Sequence, residues 1–218
     1  MTPSADGRPT LPAEASARTH PRDAASLILA RGRGRDAEIL LGRREPRDRF
    51  MPDVYVFPGG RVDRSDATHP ALSELQPRVL TQLANTTTPG RARALAVAAV
   101  RETFEETGLV LGVREGQGVR PGLELLDYVA RAITPAGNPI RYHARFFLAD
   151  ASALSGELRS NGELLDLAWF PIPKALELNI LDVTAFVVGE AASHLNGRAE
   201  PGVPLVHYRR DQKHVRRD

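Results

Sequence analysis

Arg101-Glu102-Thr103-Phe104-Glu105-Glu106-Thr107-Gly108 closes a run over residues 91–107 that reads as one helix, alanine-rich at first and charged at its end. Gly108 is suited to a left-handed C-terminal cap. At about 100° per residue, Glu102 and Glu106 stand one turn apart on a single face. Glu105 lies beside them, so three carboxylates share roughly a 100° arc. Like charges four residues apart cost a helix about 0.2–0.5 kcal/mol, and a divalent cation offsets that cost. Hard ions such as Mg²⁺ take carboxylate oxygens together with water and substrate phosphate. Arg101, four residues before Glu105, is placed to hold that carboxylate. A solvated acidic helix end is the competing reading, because charge runs commonly are that. The seven apolar residues 94–100 oppose it, since they seat the same helix in a core through Val97, Val100 and Phe104.

Upstream, Val56-Phe57-Pro58-Gly59-Gly60 is a strand running into two glycines. Without side chains, the backbone can approach an ion or phosphate and offer the Gly60 carbonyl as a ligand. Alone the segment reads as an ordinary tight turn. Beside a glutamate helix it becomes the second wall of a metal site.

The remaining pattern surrounds these two elements. Residues 24–30 and 37–41 are apolar strands joined across 31–36 as a hairpin, and 54–57 is a further strand. Residues 71–83 suggest a helix interrupted by Pro77, and 86–90 (TTTPG) a breaker. Strands are expected at 123–133, 140–148 and 166–170, and helices at 173–178 and 183–195. Strands interleaved with helices imply an α/β (α+β) sandwich around a mixed β-sheet. Residues 1–22 read as a flexible tail, 23–199 as one domain with an irregular insertion within 61–92, and 200–218 as a basic tail in which 205–208 could add an edge strand.

With 218 residues, 42% apolar and 26% charged, the chain can bury one real core. It has no cysteine, which excludes disulfides, thiolate metal sites and a cysteine nucleophile, and which fits a cytoplasmic protein. No signal-peptide core or membrane-length apolar run is present, so no membrane association is expected. The pI of 9.3 at a net charge of +2 reflects arginine, clustered at 31, 33 and 35, at 43, 44, 47 and 49, and at 209, 210, 216 and 217. Attraction to phosphorylated ligands is one reading. Nucleic acid is a minor one, since aromatics are only 6% and none interleaves with the bases. His20, His69, His143, His194, His207 and His214 include no i, i+4 pair, which argues against a histidine metal site. His143, inside a strand pattern, reads as a packed or hydrogen-bonded residue.

These residues resemble the Nudix hydrolase family, whose box is G-x5-E-x7-R-E-U-x-E-E-x-G-U, with U a bulky aliphatic. Arg101, Glu102, Glu105, Glu106, Gly108 and Leu109 match its second half, and Thr103 replaces its aliphatic. The first half begins at Gly60, with Asp66 where the family has glutamate. Gly60 and Arg101 are forty-one positions apart where the box allows fourteen, which leaves 27 extra residues inside it. A split box preceded by Phe50-Met51-Pro52 is similar to the Nudix 19 branch, whose mammalian members are coenzyme A diphosphatases.

The resemblance implies Mg²⁺ or Mn²⁺ as cofactor, with Glu102, Glu105, Glu106 and the Gly60 carbonyl as metal ligands. Arg101 would orient Glu105, and Asp66 is not expected to be a ligand. The general base would be Glu102 or a carboxylate from a later loop, with Glu163 and Glu157 as candidates. The expected substrate is a small-molecule diphosphate, foremost CoA or acyl-CoA, and then ADP-ribose, a nucleotide sugar or a damaged nucleotide. A ligand-sensing domain without catalysis is a rival that the intact acidic cluster opposes. The resemblance also makes a homodimer reasonable.

Overall fold

The computed structural model describes residues 7–8, 19–47, 51–209 and 212–218. Most of the expected N-terminal tail lies outside these residues, as do Arg49, Phe50 and Arg210.

The sheet is built around β1 (Arg22–Arg31), whose apolar run is buried on both faces, as a central strand requires. It pairs antiparallel with β2 (Glu38–Arg44) in the expected hairpin. Then come β3 (Tyr55–Val56), on β2, and β4 (Gly59–Arg61), which lies antiparallel on the start of β1. The expected Gly59-Gly60 turn is therefore a short strand, with Gly60 opposite Ala25.

The irregular stretch expected over 61–92 is ordered. A 3-10 turn over Arg64–Ala67 leads to α1 (Pro77–Ala84), which buries Val79 and Leu83. Pro77 begins this helix rather than interrupting it, because the first helical residue has no intrahelical use for its N–H. The TTTPG segment is likewise a beginning. Thr88 accepts a hydrogen bond from the Arg91 amide at 3.3 Å, and Pro89 opens α2 (Pro89–Thr107). Gly108 closes α2 with φ 71°.

A three-stranded sheet follows that the expected element list lacks: β5 (Val110–Glu115), β6 (Gly118–Pro121) and later β9 (Leu154–Ser155). Between them run β7 (Asp127–Ile133) and β8 (Tyr142–Asp150), with β8 parallel to β1 along nine residue pairs. The first part of the expected 123–133 strand is a 3-10 turn. Next, β10 (Leu164–Pro171) pairs with β2 across a bulge at which Asp166 takes φ 50°. Two helices complete the domain, α3 (Ile172–Ala175) and α4 (Asp182–Leu195).

The strand expected at 205–208 within the basic tail is present as β11 (Pro204–Arg209), which joins the sheet parallel to β7, and β12 (Gln212–Arg217) completes a hairpin and takes the edge in its place. Val206 and Leu205 are buried there, which outweighs the basic residues around them. The hairpin also stacks His207 on His214, ring centroids 5.5 Å apart, a pairing across strands that helical spacing cannot reveal.

The main sheet has the order β10-β2-β1-β8-β7-β11-β12 and mixes parallel with antiparallel pairs. One of its faces packs on α2 through Leu27, Leu29, Leu95, Val97 and Phe147. The opposite face packs on α4 through Ile28, Ala30, Val129, Val187 and Val188. Among the described residues no helix is long and apolar enough to cross a membrane.

Candidate active site

Because β4 is wedged between β1 and the C-terminal half of α2, its glycines are steric requirements. A Cβ on Gly59 (φ 148°) would sit 2.4 Å from the Ala25 carbonyl oxygen. A Cβ on Gly60 would sit 2.4 Å from the Glu102 carboxyl carbon. The Gly59 amide donates to Glu106 Oε2 at 2.8 Å, so one glutamate is tied to the glycine strand and the other rests against it.

Arg101 lies in the middle of a charge network. Its Nε donates to Asp66 Oδ1 at 2.8 Å and its Nη2 to Asp66 Oδ2 at 3.1 Å. Its Nη1 lies 3.1 Å from Glu102 Oε1 and 3.2 Å from Glu105 Oε2, and Nη2 also donates to the Arg61 carbonyl at 3.2 Å. The contact with Glu105 is the expected one. Asp66 is the missed one: it is only 1% exposed, and its Oδ2 also accepts the Asp63 amide at 2.7 Å. The insertion folds Asp66 back onto Arg101, although thirty-five residues separate them.

Burial raises the pKa of Glu102, opposed by the charge of Arg101 and assisted by Glu105 and Glu163. Burial also pushes Glu106 up to about 8, against the Gly59 hydrogen bond, with Glu102 and Glu163 adding to the rise and Arg44 opposing it. Burial works against the charge of Arg101 as well, but the bonds to Asp66 and the charge of Glu102 hold its pKa above the ordinary value. Two buried carboxylates that resist ionisation in each other's presence form a site that favours added positive charge. Glu105 is half-exposed, at the rim.

Glu102 and Glu106 open into a cleft of about 430 Å³, within the range of small-molecule sites. Glu163 lines the same cleft. Glu157 does not; it is exposed, with its backbone carbonyl against the cap at Gly108. Arg44, Arg61, Tyr142 and Tyr208 also line the cleft. Arg44 was visible in the sequence only as one member of a basic cluster, and the two tyrosines carry no motif. Thr103, the departure from the family pattern, is buried and donates its hydroxyl to the Ala99 carbonyl at 2.7 Å. A polar residue is thus accommodated without an orphaned group.

No family model matches the chain. It is 30% identical to the crystal structure of a NUDIX hydrolase from Alicyclobacillus acidocaldarius, covering 83% of this chain and 95% of that one, with a TM-score of 0.64. The chain belongs to the Nudix hydrolase family. Among curated Nudix relatives, it is 34% identical to the acyl-coenzyme A diphosphatase NUDT19 of Gallus gallus over 48% of this chain. It is 33% identical to the protein of the same name from Xenopus laevis over 37% of this chain. The chain spans 37% and 27% of the lengths of these two relatives. The structure brings Gly60 and the Arg101–Gly108 end of α2 together, with Asp66 paired to Arg101 beside them.

Proposed function

We propose that this protein hydrolyses the diphosphate of CoA or an acyl-CoA in a metal-dependent reaction, giving 3′,5′-ADP and (acyl-)4′-phosphopantetheine. The observation that carries the reading is the meeting of Glu102, Glu106 and the side-chain-free Gly60 at the head of one cleft. The named activity of the two partly matching relatives supports the substrate class.

The donor set fits Mg²⁺ or Mn²⁺. Among the described residues no group of three or more acidic, histidine or cysteine side chains is placed to hold a metal ion. An ion here would be held by one or two carboxylates, completed by water and substrate phosphate. Glu102, Glu106 and the Gly60 carbonyl would hold it, with Glu105 sharing the ion or ordering its water. When bound, the cation supplies neutralisation of the diphosphate and lowers the pKa of a nearby water.

The chain's own residues do the rest. Arg44 and Arg61, lining the charged end of the cleft, attract the diphosphate oxygens. Arg101, fixed by Asp66, keeps Glu102 and Glu105 in register with the glycine strand. Glu163, in the same cleft as the two glutamates, accepts the proton of the attacking water. The water oxygen forms a bond to one phosphorus, the bridging P–O bond breaks, and the two phosphorylated halves leave separately.

A panel of CoA, acyl-CoA, ADP-ribose, a nucleotide sugar and NADH, assayed with Mg²⁺, tests the reading. The highest kcat/KM should fall on CoA or an acyl-CoA; a higher value on ADP-ribose or a nucleotide sugar would overturn the substrate assignment.

A further inference from the structure

The cleft has two chemically different halves. Glu102, Glu106, Glu163, Arg44 and Arg61 come from α2, β2, β4 and the residue before β10, on one side of β1, whereas Tyr142, Phe146, Leu181, Val183 and Tyr208 come from β8, the start of α4 and β11, on the other. No charged side chain lines the second half among the described residues. Strand alternation explains why. Ala132, Ala144 and Phe146 point into the cleft, while their neighbours Arg131 and Arg145 point to the opposite face, where they pair with Asp218 and Asp23.

The far wall belongs to the C-terminal hairpin. Tyr208, on β11, donates its hydroxyl at 2.6 Å to Oδ1 of Asp182, a carboxylate with no exposed surface at the first turn of α4. Lys213, on β12, places its Nζ 3.7 Å from Oδ2 of the same carboxylate. Two strands of the hairpin are therefore pinned to one helix end, which fixes the Tyr208 ring as a wall rather than a loose flap.

A CoA thioester offers this cleft two unlike arms. One is an adenosine carrying a phosphomonoester dianion; the other is an uncharged pantetheine ending in an apolar acyl chain. Burying the dianion where no cation faces it is strongly unfavourable, whereas burying methylenes is favourable.

We infer that the acyl-pantetheine arm lies in the apolar half, with the 3′-phosphoadenosine arm directed out of the cleft, and that Tyr208 sets selectivity for the acyl chain. The inference rests on the reading of this protein as a CoA or acyl-CoA diphosphatase. It makes the C-terminal hairpin part of the substrate site, a role its exposed basic sequence conceals.

The test is the kcat/KM for acetyl-, octanoyl- and lauroyl-CoA with Mg²⁺. It should rise with chain length, by about fourfold per buried methylene, until the slot is filled. The lauroyl-to-acetyl ratio should fall about tenfold in Tyr208→Ala, which removes the wall, and again in Ala144→Phe, which fills the slot without deleting a contact. Tyr208→Phe should keep most of the ratio, because the ring remains. A flat chain-length profile in the unaltered protein, or a ratio unchanged in both Tyr208→Ala and Ala144→Phe, would overturn the inference while leaving the hydrolase reading intact. A kcat/KM higher for dephospho-CoA than for CoA, with a flat acyl profile, would place the adenosine arm in the slot instead. Absence of cleavage of every CoA compound, alongside cleavage of another diphosphate, would remove the underlying reading.

Discussion

Arg101 and Asp66 form a two-point ion pair, 2.8 Å from Nε to Oδ1 and 3.1 Å from Nη2 to Oδ2, across the insertion that splits the Nudix box. Two residues thirty-five positions apart in the chain are thereby joined at the site. Aspartate, one methylene shorter than the usual glutamate, reaches the guanidinium because the 3-10 turn at Arg64–Ala67 carries it inward.

This pair is expected to govern activity more than it contacts substrate. Asp66→Ala should lower kcat/KM about 10–100-fold, the range typical of residues that position metal-site groups. It should also destabilise the fold by about 1–3 kcal/mol, since the half-buried guanidinium loses its nearest partner while Glu102 and Glu105 remain. Steady-state kinetics and urea denaturation check both. Near-normal kinetics in a folded Asp66→Ala protein would contradict the positioning role.

Gly60→Ala should be folded but nearly inactive. Its backbone needs no positive φ, so the added methyl acts by collision with the Glu102 carboxyl group. A fall in kcat of about 100-fold or more, with little change in melting temperature, is expected from a displacement of about 1 Å. Unchanged turnover would mean that Glu102 can move aside at no functional cost.

Glu106→Gln keeps volume and the hydrogen bond from the Gly59 amide but removes the charge. Mg²⁺ or Mn²⁺ binding, read by calorimetry, should weaken together with kcat, while the circular dichroism spectrum stays the same. Retained metal affinity would argue against Glu106 as a ligand.

The glutamate helix was readable because a single local run combines its apolar seat, its carboxylates and its terminal glycine. The hairpin of β1 and β2 and the mixed-sheet sandwich were readable for the same reason, since periodicity and turn residues act over short distances. The Asp66–Arg101 pair was not, because it depends on how an irregular insertion packs. Nor were Tyr142 and Tyr208, since they face one another's cleft only through strand order: β8 beside β7, and β7 beside β11. Pro77 and Pro89 show a different failure. The same residue that interrupts a helix also starts one, and position relative to the first turn decides which.

His143 provides an independent handle on stability. Burial, then the charges of Arg145 and Arg131, lowers its pKa from 6.5 to about 4. As pH falls, the unfolded chain therefore takes up this proton before the folded one. The stabilisation is whole above about 6.5 and is lost as pH drops from there towards 4. Melting temperature should decline over that window, and His143→Asn should flatten the decline. An equally steep decline in the variant would assign the acid sensitivity to other groups.

The proposed reaction breaks a diphosphate bond in the cleft with the help of a divalent cation. Mass-spectrometric identification of the products from one acyl-CoA, with Mg²⁺ and with Mg²⁺ removed by EDTA, tests it most directly. 3′,5′-ADP and acyl-4′-phosphopantetheine are expected with Mg²⁺, and intact substrate with EDTA. Free CoA and a fatty acid, or the same products undiminished by EDTA, would contradict it.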